Sequence, residues 1–191
     1  MANKVKFGLK NVYYALVTET VGTTGTTTTY GAMTSWPGAV NLSLDPAGSD
    51  DSNFDADDGV YYVIQGSNSG YTGTFESALI PEAVQKDVLG RTLDTNGVLV
   101  ENKDDVKKAI ALAFEIDGDV KANKYLLYKC MLARPSLASS TKTSDGGATP
   151  QTDTVNITVT PRPDDGKIRA WTSATTSSGT YENWFSAVYN P

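Results

Sequence analysis

The chain has 191 residues, 39% of them hydrophobic, with 16 basic against 22 acidic side chains and a net charge of −6. That balance excludes a surface built to grip phosphate backbones, and one cysteine excludes a disulfide framework within the chain. With no histidine, the ordinary general base near neutral pH and the commonest metal ligand are both missing. The length suits one hydrophobic core, so a single domain over 1–191 is expected. The opening residues are charged every few positions, so neither a signal peptide nor a membrane span is expected.

In chain order, two strand-like runs, Val5 to Leu9 and Val12 to Thr18, are split by Lys10-Asn11 and form an N-terminal arm or edge hairpin over about 1–18. From Gly22 to Gly31 the text is almost purely Thr and Gly, an exposed loop or hairpin tip. Val40, Leu42 and Leu44 alternate with Asn41, Ser43 and Asp45, as in a strand wet on one side. The stretch 45–59 then gathers Asp45, Asp50, Asp51, Asp55, Asp57 and Asp58. Their spacing breaks the calcium-loop rule, because Asp58 stands where the turn glycine belongs and Ile64 where the closing Glu belongs. A solvated, self-repelling loop is predicted. Gly59 to Gln65 and Tyr71 to Leu79 read as strands; in the second, Thr72, Thr74 and Glu76 oppose Tyr71, Phe75 and Leu79.

Pro81 opens the one predicted helix, about 81–89, with Val84, Val88 and Leu89 inward and Gly90 ending it. Asn96-Gly97 is a tight turn before a short strand, Val98 to Val100. The hydrophobic centre is Ala109 to Pro135. Ile110, Leu112, Phe114 and Ile116 alternate with small residues, Asp117-Gly118-Asp119 reverses the chain, and the return strand puts Leu126, Tyr128, Cys130 and Leu132 on one side. Residues 136–153 are small and polar, a flexible loop. Val155, Ile157 and Val159 alternate with Asn156, Thr158 and Thr160, and Lys167 to Thr172 is expected to pair back on that strand. The C-terminal run holding Trp184, Phe185 and Tyr189 is too apolar to stand free and is expected to dock.

No pattern here carries chemistry. Cys130 lacks a basic partner and sits among apolar residues; no phosphate loop, dinucleotide fingerprint or nucleophile elbow occurs. Neither an enzyme nor a cofactor is expected. The fold class read from the residues is mainly β, a sandwich or barrel with one short flanking helix and long loops.

Several segments, in this order and spacing, resemble the major tail protein (tail tube) family of long-tailed bacteriophages and prophages of Gram-positive bacteria: KVKFGLKNVYYALVTE, WPGAVNLSLDPAG, ALIPEAVQKDVLG, NGVLVENKDDVKKAIALAFEIDGDVK, TPRPDDGKIRAWT and NWFSAVYNP. The resemblance implies a structural virion protein, made in the bacterial cytoplasm, that polymerises as stacked, hexameric rings into a tube delivering phage DNA. Self-association, tape measure and tail terminator partners, and DNA as transiting cargo are implied with it. On that reading, Thr72, Thr74, Glu76, Asn156, Thr158 and Thr160 are candidates for lining the lumen, and the acidic stretch is a candidate inter-subunit loop. A ring of chains at −6 repels phosphates, which suits a conduit that must not hold its cargo. The alternative is a β-sandwich recognition module, carbohydrate-binding or host-adhesive, using Trp36, Trp171 or Trp184 as a stacking platform.

Overall fold

The computed structural model describes residues 3–23, 25–142 and 150–191. Its elements in chain order are β1 (Lys6–Gly22), β2 (Gly25–Tyr30), β3 (Thr34–Ser35), β4 (Ala39–Ala47), β5 (Ser52–Ala56), β6 (Gly59–Ile64), β7 (Gly70–Ser77), α1 (Glu82–Asp87), β8 (Thr92–Leu93), β9 (Leu99–Val100), β10 (Ile110–Gly118), β11 (Asn123–Leu132), β12 (Asp153–Val159), β13 (Arg169–Trp171) and α2 (Ser178–Glu182). The molecule is mainly β. Nine strands form one antiparallel sheet in the order β2-β1-β10-β11-β12-β7-β4, with β13 also on β11 and β3 also on β1. The sheet folds over until β4 approaches β1, which makes it sandwich-like.

The centre is the β10–β11 hairpin. Ile110, Leu112 and Phe114 point into the main core with Val12, Tyr14, Trp36, Phe75, Val155, Ile157 and Val159. Trp36 stands edge-on to Phe75 (ring centroids 4.9 Å, 89°), and its indole N–H donates to Ser77 Oγ at 3.2 Å, so the buried indole is satisfied. The α1 helix caps this core with Val84 and Val88, both fully buried, and Gly90 closes it at φ +80. There the Arg91 N–H reaches Gln85 O, a helix end that a Cβ at residue 90 would disturb against Val106.

The opposite face of β10, Ala111 and Ala113, is buried too. It forms a second cluster with Val17, Leu126, Tyr128 and Trp184. Small residues stand on that face because the C-terminal segment lies close upon it. Trp184 is 4% exposed and Phe185 stacks on Tyr13 at 5.0 Å.

The structure corrects several expectations. The run 6–22 is one strand, bonded to β10, rather than two runs forming an arm or an edge hairpin; Lys10-Asn11 is a bulge within it, with Asn11 at φ +51. Its continuation, Val17 to Gly22, pairs with β2, so the Thr-rich text is itself a strand. Between the Leu112–Leu127 and Ile110–Cys130 pairs, β11 advances three residues where β10 advances two. That bulge sends Cys130 and Leu132 into the main core and leaves Leu126 and Tyr128 in the second cluster. β13 pairs with β11 and not with β12, because β12 occupies only Cys130 to Leu132 and leaves the other half of that edge open. A second short helix, α2, goes beyond the one helix predicted; Ser177 caps it through the Thr180 N–H. Leu79 is exposed instead of lying with Phe75. Of the loop expected over 136–153, residues 143–149 lie outside the described residues.

Candidate functional site

Two surfaces stand out, one polar and one apolar. The polar one is an open face of the sheet. Antiparallel register sets Thr72 opposite Thr158, Thr74 opposite Asn156 and Glu76 opposite Thr154. On the other side β4 brings Asp45 to Thr72, Ser43 to Thr74 and Asn41 to Glu76. Five of the six residues expected to share a wet face therefore lie side by side across two strands, and β4 adds a third row. Thr160, the sixth, lies just past the end of β12, where its N–H donates to Lys129 O. The reverse of this face carries Leu42, Leu44, Phe75, Val155 and Ile157 in the main core, which fixes the register, since a one-residue slip would exchange the two sets. Its charge comes from Asp45 and Glu76 alone, and the lysine at its border, Lys129, is held by Glu19 at 2.5 Å.

The apolar surface is the β5–β6 hairpin, and here the sequence reading is corrected most. The six aspartates do not share a loop. Asp45 lies in β4, Asp51 accepts the Gly66 N–H at 2.7 Å at the neck, Asp55 lies in β5, and Asp57 and Asp58 form the two-residue turn at φ +52 and +60. Two successive positive φ values are what a hairpin turn of this length needs, and Asp is among the few residues that accept them. Asp50 is exposed just outside the strands.

Val60, Tyr62 and Ile64 alternate with Tyr61 and Val63, and all five are at least 46% exposed, as is Phe54 across from Tyr62. Apolar groups thus cover both faces of a ribbon that pairs with no other strand among the described residues. Its neck is tight. Ser49 and Ser67 exchange N–H to Oγ hydrogen bonds at 3.1 and 3.0 Å, and a Cβ added at Gly48 or Gly66 would strike the facing carbonyl. The ribbon leaves the body in a defined direction.

Among the known protein families and curated proteins, nothing matches this chain.

The C-terminal residues are placed by specific contacts. Lys124, 8% exposed, donates to Tyr181 O at 2.7 Å and lies against the Tyr181 and Phe185 rings. Tyr189 stacks on Trp184 at 5.3 Å. Asn190 accepts from the Arg162 Nη1 at 2.9 Å. Arg162 is itself buried and grips Asp164 with two nitrogens, at 2.9 and 2.7 Å. The guanidinium holds the Asp164 carboxyl well below the usual carboxylate range, while burial pushes the neighbouring Tyr30 and Tyr128 phenols up to about 12. Nothing in the text PRPDDG announces a buried arginine; it reads as a solvated turn.

Of the three tryptophans weighed as a sugar platform, Trp36 and Trp184 are buried and only Trp171 is exposed, at 53%. Burial also drives the Cys130 thiol well above its ordinary range, so it stays a protonated apolar filler. Among the described residues, no helix is long and apolar enough to cross a membrane, and no group of three or more potential ligands is placed to hold a metal ion.

Proposed function

We propose that the chain is a self-assembling structural subunit of the tail tube kind, closing into rings that stack into a conduit for DNA. The observation that carries this reading is the β5–β6 hairpin. An isolated two-stranded ribbon is marginal in water, and six exposed large apolar side chains on it are a hazard in a monomer and an assembly device in an oligomer. Two further features support it. The sheet ends in β2 and β4; the Thr28 N–H of β2 is already bonded to Asp164, whereas the outer edge of β4 pairs with no strand among the described residues and is open to pairing between copies. The wet face of β4, β7 and β12 offers hydroxyls, amides and two carboxylates, a lining that does not hold phosphates.

In this reading that face lines the lumen, and hexameric rings, tape measure and tail terminator partners and residence in the virion tail follow from the sequence resemblance. Electron microscopy of the purified full chain at rising concentration tests it. Tubes of uniform diameter are expected; a protein that stays monomeric at every concentration refutes the proposal. Of the three tryptophans weighed for a recognition module, only Trp171 is exposed.

A further inference from the structure

A surface able to receive the hairpin exists on the same chain. Where the two layers of the sandwich part, β4, β7, β10 and β11 leave a cleft of about 220 Å³ between them. Its walls are Leu42, Leu44, Tyr71, Ile116 and Tyr125, each only partly covered, over a floor that includes Phe114. The Phe114 and Tyr125 rings are stacked at 5.3 Å with 8° between their planes, a flat aromatic wall. The volume falls below the roughly 300–1,000 Å³ of small-molecule pockets and matches one or two inserted side chains.

The rim is basic. Lys6 stands on one side, and on the other Arg169 lies 4.9 Å from the centroids of both Tyr71 and Trp171. Neither cation makes an ion pair among the described residues. By contrast, residues 49–67 contain five aspartates and no lysine or arginine. Phe54 is paired with Tyr62, so the two rings share one face of the hairpin, while Asp55, the next residue of β5, is paired with Val60 across the bulge and lies on the other face. The hairpin thus presents an aromatic face on a ribbon that is acidic throughout, and the cleft presents an aromatic pocket with cations beside it.

We infer that the hairpin of one copy docks in this cleft of a second copy, Tyr62 entering between Leu44 and Tyr125 while the carboxylates along the ribbon, Asp55 among them, are drawn to the Lys6 and Arg169 rim. The inference rests on the self-assembly reading and names the receiving surface. Inserting a buried aromatic into a partner pocket is the arrangement that concentrates binding energy at an interface. The charge pairs fix its orientation and speed encounter.

Cross-linking between full-length chains tests it. One carries Tyr62→Cys, the other, of different mass through a tag, carries Lys6→Cys or, as control, Glu82→Cys on α1; buried Cys130 does not compete. The expected result under mild oxidation is a mixed disulfide between the Tyr62→Cys chain and the Lys6→Cys chain, with little to the control. Tubes that form without that link overturn the docking and leave the tube reading standing. A linked pair of discrete size without tubes supports the docking and sinks the tube reading. A disulfide formed within one dilute chain carrying both substitutions, and not between chains, overturns the proposal in favour of a hairpin folded on its own cleft. Neither link nor assembly overturns both. Independently, Asp55→Lys weakens association by about tenfold or more, and a partner carrying Lys6→Glu and Arg169→Glu restores it; absence of that rescue counts against the docking.

Discussion

Arg162 shows how much one side chain holds together. Its guanidinium is buried, bonded to Asp164, within reach of Asp165 at 3.1 Å, bonded to Asn190, and set 5.7 and 5.2 Å from the Tyr30 and Tyr128 ring centroids. Arg162→Met gives up a two-nitrogen bond to a carboxylate that water can still reach, so it should cost about 1.5–3 kcal/mol in urea unfolding. The acid dependence follows from the depressed Asp164 carboxyl. Its contribution is fully present above the unfolded value of about 3.9 and is lost only as pH falls through the still lower folded value. Wild type and Asp164→Asn should therefore differ by a constant amount from about pH 8 to about pH 5, with the gap closing below about pH 4. A gap that closes near neutral pH would contradict this arrangement. On the other side of the second cluster, Ala113→Leu should cost about 1–3 kcal/mol through overpacking against the C-terminal cover, measured the same way.

At the scale of elements, the hairpin and the C-terminal segment should give opposite results. Replacing residues 50–66 by two glycines cuts at the Ser49–Ser67 neck, removes no core side chain, and should leave the thermal midpoint of the monomer nearly unchanged while abolishing assembly. Truncation after Gly179 removes Trp184 from Ala111, Ala113, Leu126 and Tyr128. That should lower the midpoint well below that of the hairpin-less protein; loss of a buried tryptophan alone costs about 3–5 kcal/mol. Equal midpoints would refute the structural role of the segment.

The two cases also mark what the sequence makes legible. Ile110, Leu112 and Phe114 declare a buried face because alternation with alanine is a local signal, and Pro81 with Gly90 brackets α1 for equally local reasons. GVYYVI carries the same signature as a buried strand, yet it is exposed, because burial depends on what the tertiary structure brings alongside. Pairing partners are similarly silent. Arg169 to Trp171 joins β11 only because β12 leaves half of that edge free, and no glycine or proline advertises the β11 bulge that redirects Cys130. The polar rows are readable strand by strand, but their lateral alignment into one face requires the register.

For the whole molecule, the wet face matters through its charge. If it lines a conduit, replacing Asp45 and Glu76 by lysine sets twelve cations around a six-membered ring in place of twelve carboxylates, two from each chain. Assembled tubes of that variant should retain duplex DNA with a steep dependence on salt, whereas wild-type tubes release it at all ionic strengths. Filter retention across a salt series measures the difference, and equal retention would place the face elsewhere on the assembly. The second cluster has a consequence of another kind, set by the order of synthesis. Its lid, residues 178–190, follows every strand among the described residues, so on the ribosome β10 and β11 stand complete with one face still uncovered. A nascent chain stalled short of residue 178 should bind a hydrophobic dye or a chaperone at Ala111, Ala113 and Leu126, and release from it should coincide with the emergence of Trp184. Subunit maturation is then timed by translation, and the segment 178–190 acts as its latch.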